Sequence, residues 1–192
     1  MTRLHLVRHG PTHVKGMVGW SDMPADLSDT AAIARLSAHL PEAALVISSD
    51  LSRAAATADA IQGARRRLPH RPDLREINFG TWELRSFKDI EAEDPARARA
   101  YWETPGDTRP PGGESWHEVR ARVDAAIDAL IAEYPGGDLI VVAHFGVILT
   151  QVQRALSLDA DQAFGHRIDN LSVTEIARDG TGWSVDRINH LP

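Results

Sequence analysis

The sequence predicts an α/β fold of three layers, a mostly parallel central sheet with helices on both faces. Three observations carry that prediction. Short apolar runs alternate with stretches of helical periodicity along the 192 residues, the pattern of repeated strand–helix units. Three of the segments end at once in histidine, or in a polar turn leading to arginine, as parallel strands do where they deliver side chains to a ligand at one sheet edge. The chain closes on two extended segments around Asp179-Gly180, the mark of an antiparallel hairpin.

Each element has its own local reason. Leu4–His9 is an apolar run ending at Gly10-Pro11 and reads as a buried strand. Ser28 is placed to cap a helix reaching about Leu40, with Ala32, Ile33, Leu36 and Leu40 on one face. Ala44–Ser49 reads as the second buried strand. Leu51–Ala64 follows as a helix, ended by Gly63 or by Arg65-Arg66-Arg67, which reads as a solvated cationic helix end. Ile77–Trp82 reads as a short extended piece. Residues 83–111 are polar, acidic and broken by Pro95, Pro105, Pro110 and Pro111, so they read as a helical, lid-like excursion. Ser115 and Glu118 form a capping box. The helix it opens sets Trp116, Val119, Val123, Ala126, Ile127, Leu130, Ile131 and Tyr134 on one face. Pro135-Gly136-Gly137 stops it. Leu139–Ala143 is the third strand, Val147–Leu156 the next helix, and Ser172–Ile176 with Trp183–Ile188 the hairpin. No repeat or linker interrupts this order, so a single domain spanning residues 1–192 is expected.

Composition narrows the function. With 43% apolar and 25% charged residues the chain is an ordinary globular protein able to bury a core. A net charge of −6 argues against nucleic acid or an anionic membrane as partner. It leaves room for a local arginine cluster that grips a small phosphate ester. The absence of cysteine excludes disulfides, thiolate catalysis and cysteine-held metal. The longest apolar run, Leu139–Ala143, is too short to span a bilayer. Met1–His5 enters a strand without a secretory pattern, so a cytoplasmic location is the expectation. Oligomeric state has no signature here.

The strand exits carry the chemistry. His9 follows Arg8 into a Gly-Pro turn. Ser49-Asp50 leads to Arg53, and His144 closes the third strand. A neutral imidazole is a nucleophile near pH 7, and arginine grips phosphate oxygens in pairs. Among the carboxylates, Glu76, Glu83 and Asp50 are all candidates for proton transfer.

In order along the chain, Leu6-Val7-Arg8-His9-Gly10-Pro11-Thr12, Gly19-Trp20 with Asp26-Leu27-Ser28, and Ser48–Ala54 with Thr57-Ala58 resemble landmarks of the histidine phosphatase superfamily. So do Leu74–Glu83, Gly112-Gly113-Glu114-Ser115 and Val142-Ala143-His144. The resemblance is to the branch of cofactor-dependent phosphoglycerate mutase and its phosphatase relatives, such as α-ribazole phosphatase. It implies a phosphoglycerate mutase-like fold, His9 as nucleophile, and Arg8 and Arg53 on the phosphoryl oxygens. It implies that His144 donates to the same oxygens as a cation, and that Glu76 rather than Glu83 or Asp50 is the proton donor. Thr12 adds a hydroxyl contact to phosphate or stabilises the turn. No metal and no cofactor are implied. The partner is a small phosphorylated metabolite. The chain departs from the pattern at Pro11, Lys15, Asp29-Thr30-Ala31-Ala32 and Phe145.

Hydrolysis of a phosphomonoester through a phosphohistidine is therefore the expected activity. A phosphoglycerate-type phosphomutase is the alternative, against which stands the short Gly80–Gly112 segment, since mutases of the group carry a longer insertion there. A non-catalytic phosphate-binding regulatory domain is the alternative of another class. His5, His9 and His13 cannot share a helical face across Gly10-Pro11, and His117-Glu118 has no second histidine, so a metal hydrolase is disfavoured. There is no Gly-x-Ser-x-Gly elbow, and Gly180-Thr181-Gly182 lacks a dinucleotide-binding context.

Overall fold

A computed structural model describes residues 1–192. Its elements are β1 (Thr2–Arg8), α1 (Thr30–His39), β2 (Leu45–Ser48), α2 (Ser52–Ile61), α3 (Phe87–Glu93) and α4 (Pro95–Glu103). They continue with α5 (Trp116–Glu133), β3 (Gly137–Ala143), α6 (Phe145–Leu156), α7 (Ala160–Phe164), β4 (Val173–Arg178) and β5 (Trp183–His190). The sheet is mixed, in the order β2-β3-β1-β4-β5. β2, β3 and β1 are parallel, and the hairpin β4-β5 is added antiparallel to β1.

Alternation along the strands sorts the core into two layers. Leu4 and Leu6 of β1 and Leu139 and Val141 of β3 face the larger one, with Trp116, Val123 and Ile127 of α5 and Val147 and Ile148 of α6. Ile90, Ala98 and Tyr101 of α3 and α4 pack into the same layer. Val7, Ile140 and Val142 point the other way, onto Leu36 and Leu40 of α1 and Ala54, Ala58 and Ile61 of α2. No helix is long and apolar enough to cross a membrane.

Several local expectations hold. The Ser115–Glu118 capping box opens α5 with both reciprocal hydrogen bonds, and Gly136 and Gly137, both with φ near +80°, turn the chain into β3. Others change. Asp29, not Ser28, caps α1, because its carboxylate accepts the Ala32 amide while the Ser28 amide is taken by Asp26. Ile77–Trp82 forms no strand. Its end is a 3-10 turn at Gly80–Trp82, entered through Gly80 at φ +53°. Arg65 is buried rather than solvated. It donates to carbonyls of Ser37, Leu40, Pro41 and Ile61, so one guanidinium satisfies the frayed carboxyl ends of both α1 and α2. The short helix α7 gave no sequence signal beyond its Asp159–Gln162 capping box.

Candidate active site

Parallel pairing sets the strand exits level. Arg8 pairs with Ala143 and Ser48 with Val142. The ladder runs one step further, with the His9 amide on Ala143 O at 3.1 Å and the Ser49 amide on Val142 O at 3.1 Å. His9, His144 and the start of α2 therefore emerge at one edge. The His9 and His144 rings stand 5.0 Å apart, edge to face. A cleft of about 330 Å³ opens there, lined by Arg8, His9, Thr12, Arg53, Glu76 and Asn170 among others.

His9 is buried, and its tautomer follows from its neighbours. Nδ1 lies 2.6 Å from the Gly10 carbonyl, which only accepts, and Nε2 lies 3.2 Å from Nε of Arg53, which only donates. The proton is thus on Nδ1 and the lone pair on Nε2. Burial first, then the charge of Arg53, holds the imidazole pKa down at about 3, so the ring is neutral near pH 7. Arg53 is fully buried. Its terminal nitrogens donate to Ser21 O at 2.9 Å and Gly19 O at 2.6 Å, which aims its Nε at the histidine. Arg8 donates to Ile168 O at 2.6 Å and lies 5.5 Å from the centre of the Phe145 ring.

Glu76 is buried against the start of α6. It accepts the Ile77 amide at 3.0 Å and the Gly146 amide at 3.0 Å. Burial raises its pKa above the ordinary carboxylate value; the amides and the two guanidiniums act in the opposite sense. A side chain at Gly146 would fall 2.5 Å from the Glu76 carboxylate, so the glycine is required one residue after Phe145. The two other candidate acids are occupied. Glu83 accepts the amides of Gly19, Trp20, Ser21 and Phe79 and the Ser21 hydroxyl, and Asp50 is held by both ends of Arg75.

One expectation is corrected. His144 is not a cation in this site. It is wholly buried, with neither ring nitrogen hydrogen-bonded, and burial together with His9 and the arginines holds its pKa well below the usual imidazole value. It can still offer one N–H as a neutral ring. Lys15 is exposed and does not line the cleft. His5 lies apart, paired with Asp138, and His13 sits at the rim on Asp26.

Sequence reading missed three contributors. Asn170 donates to His9 O at 2.8 Å. Thr57 Oγ1 accepts the Gly10 amide at 3.0 Å. Arg122 donates to the carbonyls of Asp73, Arg75 and Glu76 and to both oxygens of Glu114, fixing the segment that carries Glu76. The Thr57-Ala58 pair was a signal for one of them; Asn170 and Arg122 had none.

The sequence model of the histidine phosphatase superfamily (branch 1) matches residues 4–191. The bifunctional protein Rv2228c of Mycobacterium tuberculosis is 31% identical over 98% of this chain, which spans about half (54%) of that relative's length. The adenosylcobalamin/α-ribazole phosphatase of Salmonella typhimurium is 32% identical, covering 87% of this chain and 86% of its own. Among solved structures, Bacillus stearothermophilus YhfR superposes with a TM-score of 0.88 at 28% identity, over 97% of this chain and 96% of its own.

Proposed function

The chain belongs to the histidine phosphatase superfamily, and from that premise we propose that it hydrolyses a small phosphomonoester through a phosphohistidine on His9, without a metal. The observation that carries this reading is the lone pair on Nε2 of a buried, neutral His9, flanked by Arg8 and Arg53. In the first step Nε2 attacks phosphorus in line, the P–O bond to the leaving group breaks, and Glu76 gives its proton to the departing alkoxide. In the second, the Glu76 carboxylate takes a proton from water. The resulting hydroxide displaces His9 from phosphorus and releases inorganic phosphate.

Arg8 and Arg53 offset charge on the transferring oxygens, which is most of what a phosphoryl-transfer site must supply. His144 adds one N–H to those oxygens from its neutral ring. Thr12 adds a hydroxyl at the rim. Burial raises the Glu76 pKa, which keeps a proton available for the leaving group at higher pH than an exposed carboxyl would. In this reading Arg8 and Arg53, which both line the cleft, supply the positive charge that a metal ion would otherwise supply to the transferring oxygens.

Residues 83–111, with α3 and α4, act as the lid of a single catalytic domain. Their shortness leaves the site open to water and favours hydrolysis over transfer back to a second hydroxyl. A sugar phosphate or a nucleoside-like phosphate such as α-ribazole phosphate is the substrate class, in line with the 32% identical relative of that name. Purified protein should release phosphate from an aryl phosphate in excess EDTA. His9→Ala should lower the rate by on the order of 10⁴-fold or more. Loss of activity with EDTA, or a His9→Ala variant that still turns over, overturns the reading.

A further inference from the structure

The peptide joining His9 to Gly10 is gripped at both ends by side chains from distant parts of the chain. Asn170 Nδ2 donates to its carbonyl at 2.8 Å, and Thr57 Oγ1 accepts its N–H at 3.0 Å. Both anchors are themselves fixed. The Thr57 hydroxyl donates to Arg53 O at 2.7 Å, tying it to the helix that carries the second arginine. The Asn170 loop is locked by a reciprocal pair: the Asp169 amide donates to Asn189 Oδ1 at 2.6 Å, and Asn189 Nδ2 donates to Asp169 Oδ2 at 2.9 Å. The same loop holds Arg8, taking its guanidinium on Ile168 O and giving the Leu171 amide to Arg8 O.

The clamp matters because of what lies one peptide further on. The Gly10 carbonyl is the only acceptor on Nδ1 of His9, and Gly10 is the residue whose backbone turns most freely. Holding the 9–10 peptide plane fixes the near side of Gly10, and Pro11, which restricts the residue before it and whose carbonyl accepts the Asp26 amide at 2.6 Å, fixes the far side, so together they set where the Gly10 carbonyl points. We propose that Asn170 and Thr57 are positioning residues for the nucleophile. By fixing that plane they keep the proton on Nδ1 and the lone pair on Nε2. The proposal rests on His9 being the nucleophile. It adds to that reading a device that acts on the rate of attack rather than on phosphate affinity.

The test uses the 192-residue protein and the variants Asn170→Ala and Thr57→Val, with Thr57→Ser as the conservative partner that keeps the hydroxyl. Three quantities are read: the single-turnover rate of phosphoenzyme formation from an aryl phosphate, the affinity for vanadate, and the His9 tautomer from long-range proton–nitrogen NMR of the imidazole. Both disrupting variants should slow phosphoenzyme formation by roughly ten- to a hundredfold, as a displaced nucleophile does. Vanadate affinity should stay within about threefold, since Arg8 and Arg53 remain. The His9 signals should move from one tautomer to a mixture, and Thr57→Ser should recover most of the rate.

Wild-type rates with a single tautomer in both variants overturn the clamp. So does a rate loss matched by an equal loss of vanadate binding, which would make these residues ligand contacts. If the wild-type protein forms no phosphohistidine, the catalytic reading fails, while the tautomer measurement still decides whether the clamp exists. Should one variant fail to fold, the other carries the test alone.

Discussion

His9 and Glu76 line one cleft but come from regions built in different ways. His9 sits one residue beyond β1, in a sheet whose parallel ladder continues through its own amide. Glu76 sits on a segment with no regular structure, between 3-10 turns at Pro72–Leu74 and Gly80–Trp82. Backbone pairing places the first. Side chains and single amides place the second: Arg122 on three carbonyls, Glu114 on the Asn78 amide, Gly146 on the carboxylate itself. The path of a strand exit is set by a row of cooperative backbone bonds, so no single side chain decides where it lies, although side chains still set the tilt of the 9–10 peptide just beyond it. The Glu76 segment has no such row and rests on a few separate contacts, the Arg122 guanidinium foremost among them.

The comparison breaks most visibly at the acid. Glu76→Gln keeps the shape and removes the proton, so turnover of an alkyl phosphate should fall by on the order of 10²- to 10⁴-fold. An aryl phosphate, whose leaving group needs no proton, should lose far less. The descending limb of kcat/KM at high pH, set by the raised Glu76 pKa, should disappear in the variant. Equal losses for both esters would move the proton donor elsewhere.

Arg122→Met sharpens the contrast, since it touches only the acid region. It takes the guanidinium from the carbonyls of Asp73 and Arg75 and leaves the Glu114 carboxylate with only the Asn78 amide, which should cost about 1–3 kcal/mol of stability, measured by urea unfolding. Activity on alkyl phosphates should drop more than on aryl phosphates, with vanadate affinity kept. A fall in vanadate affinity would show that the two regions are not independent.

The smallest effect is one on stability alone, and it concerns acid. The His9 pKa is about 3 in the folded protein against about 6.5 in an unfolded chain. The unfolded state therefore binds a proton that the folded state refuses, and stability falls as pH drops from about 6.5 towards 3. The slope is about 1.4 kcal/mol per pH unit for each such group. His144 acts in the same direction. His9→Ala should flatten the acid limb of a stability profile; an unchanged slope would contradict the buried neutral ring.

The same division explains what could be read from sequence. Leu4–His9, Ala44–Ser49 and Leu139–Ala143 announced themselves as apolar runs, and the rule that ligands sit at strand exits brought His9, Arg53 and His144 together before any geometry. Asn170 was invisible for a topological reason. β4 is antiparallel to β1, so the loop that enters β4, rather than one that leaves it, reaches the reactive edge. The partners of Glu76 were invisible because Arg122 is one charged position on an amphipathic helix and Gly146 acts through its amide. Periodicity records which face is buried, not which polar group is satisfied. The charge on His144 was misjudged because burial, which removes it, depends on tertiary packing that a strand-end position does not reveal. Arg65 was misread because its acceptors are the ends of two helices, brought together only by the fold.

His9 is the proposed carrier of the phosphoryl group during turnover. Rapid mixing with an excess of substrate, quenching in alkali, and peptide mass analysis test it most directly. One phosphoryl group is expected on the peptide containing His9, stable to alkali, lost in acid, and formed no more slowly than turnover. Turnover with no phosphoryl group on the protein, or with one on another residue, would contradict it.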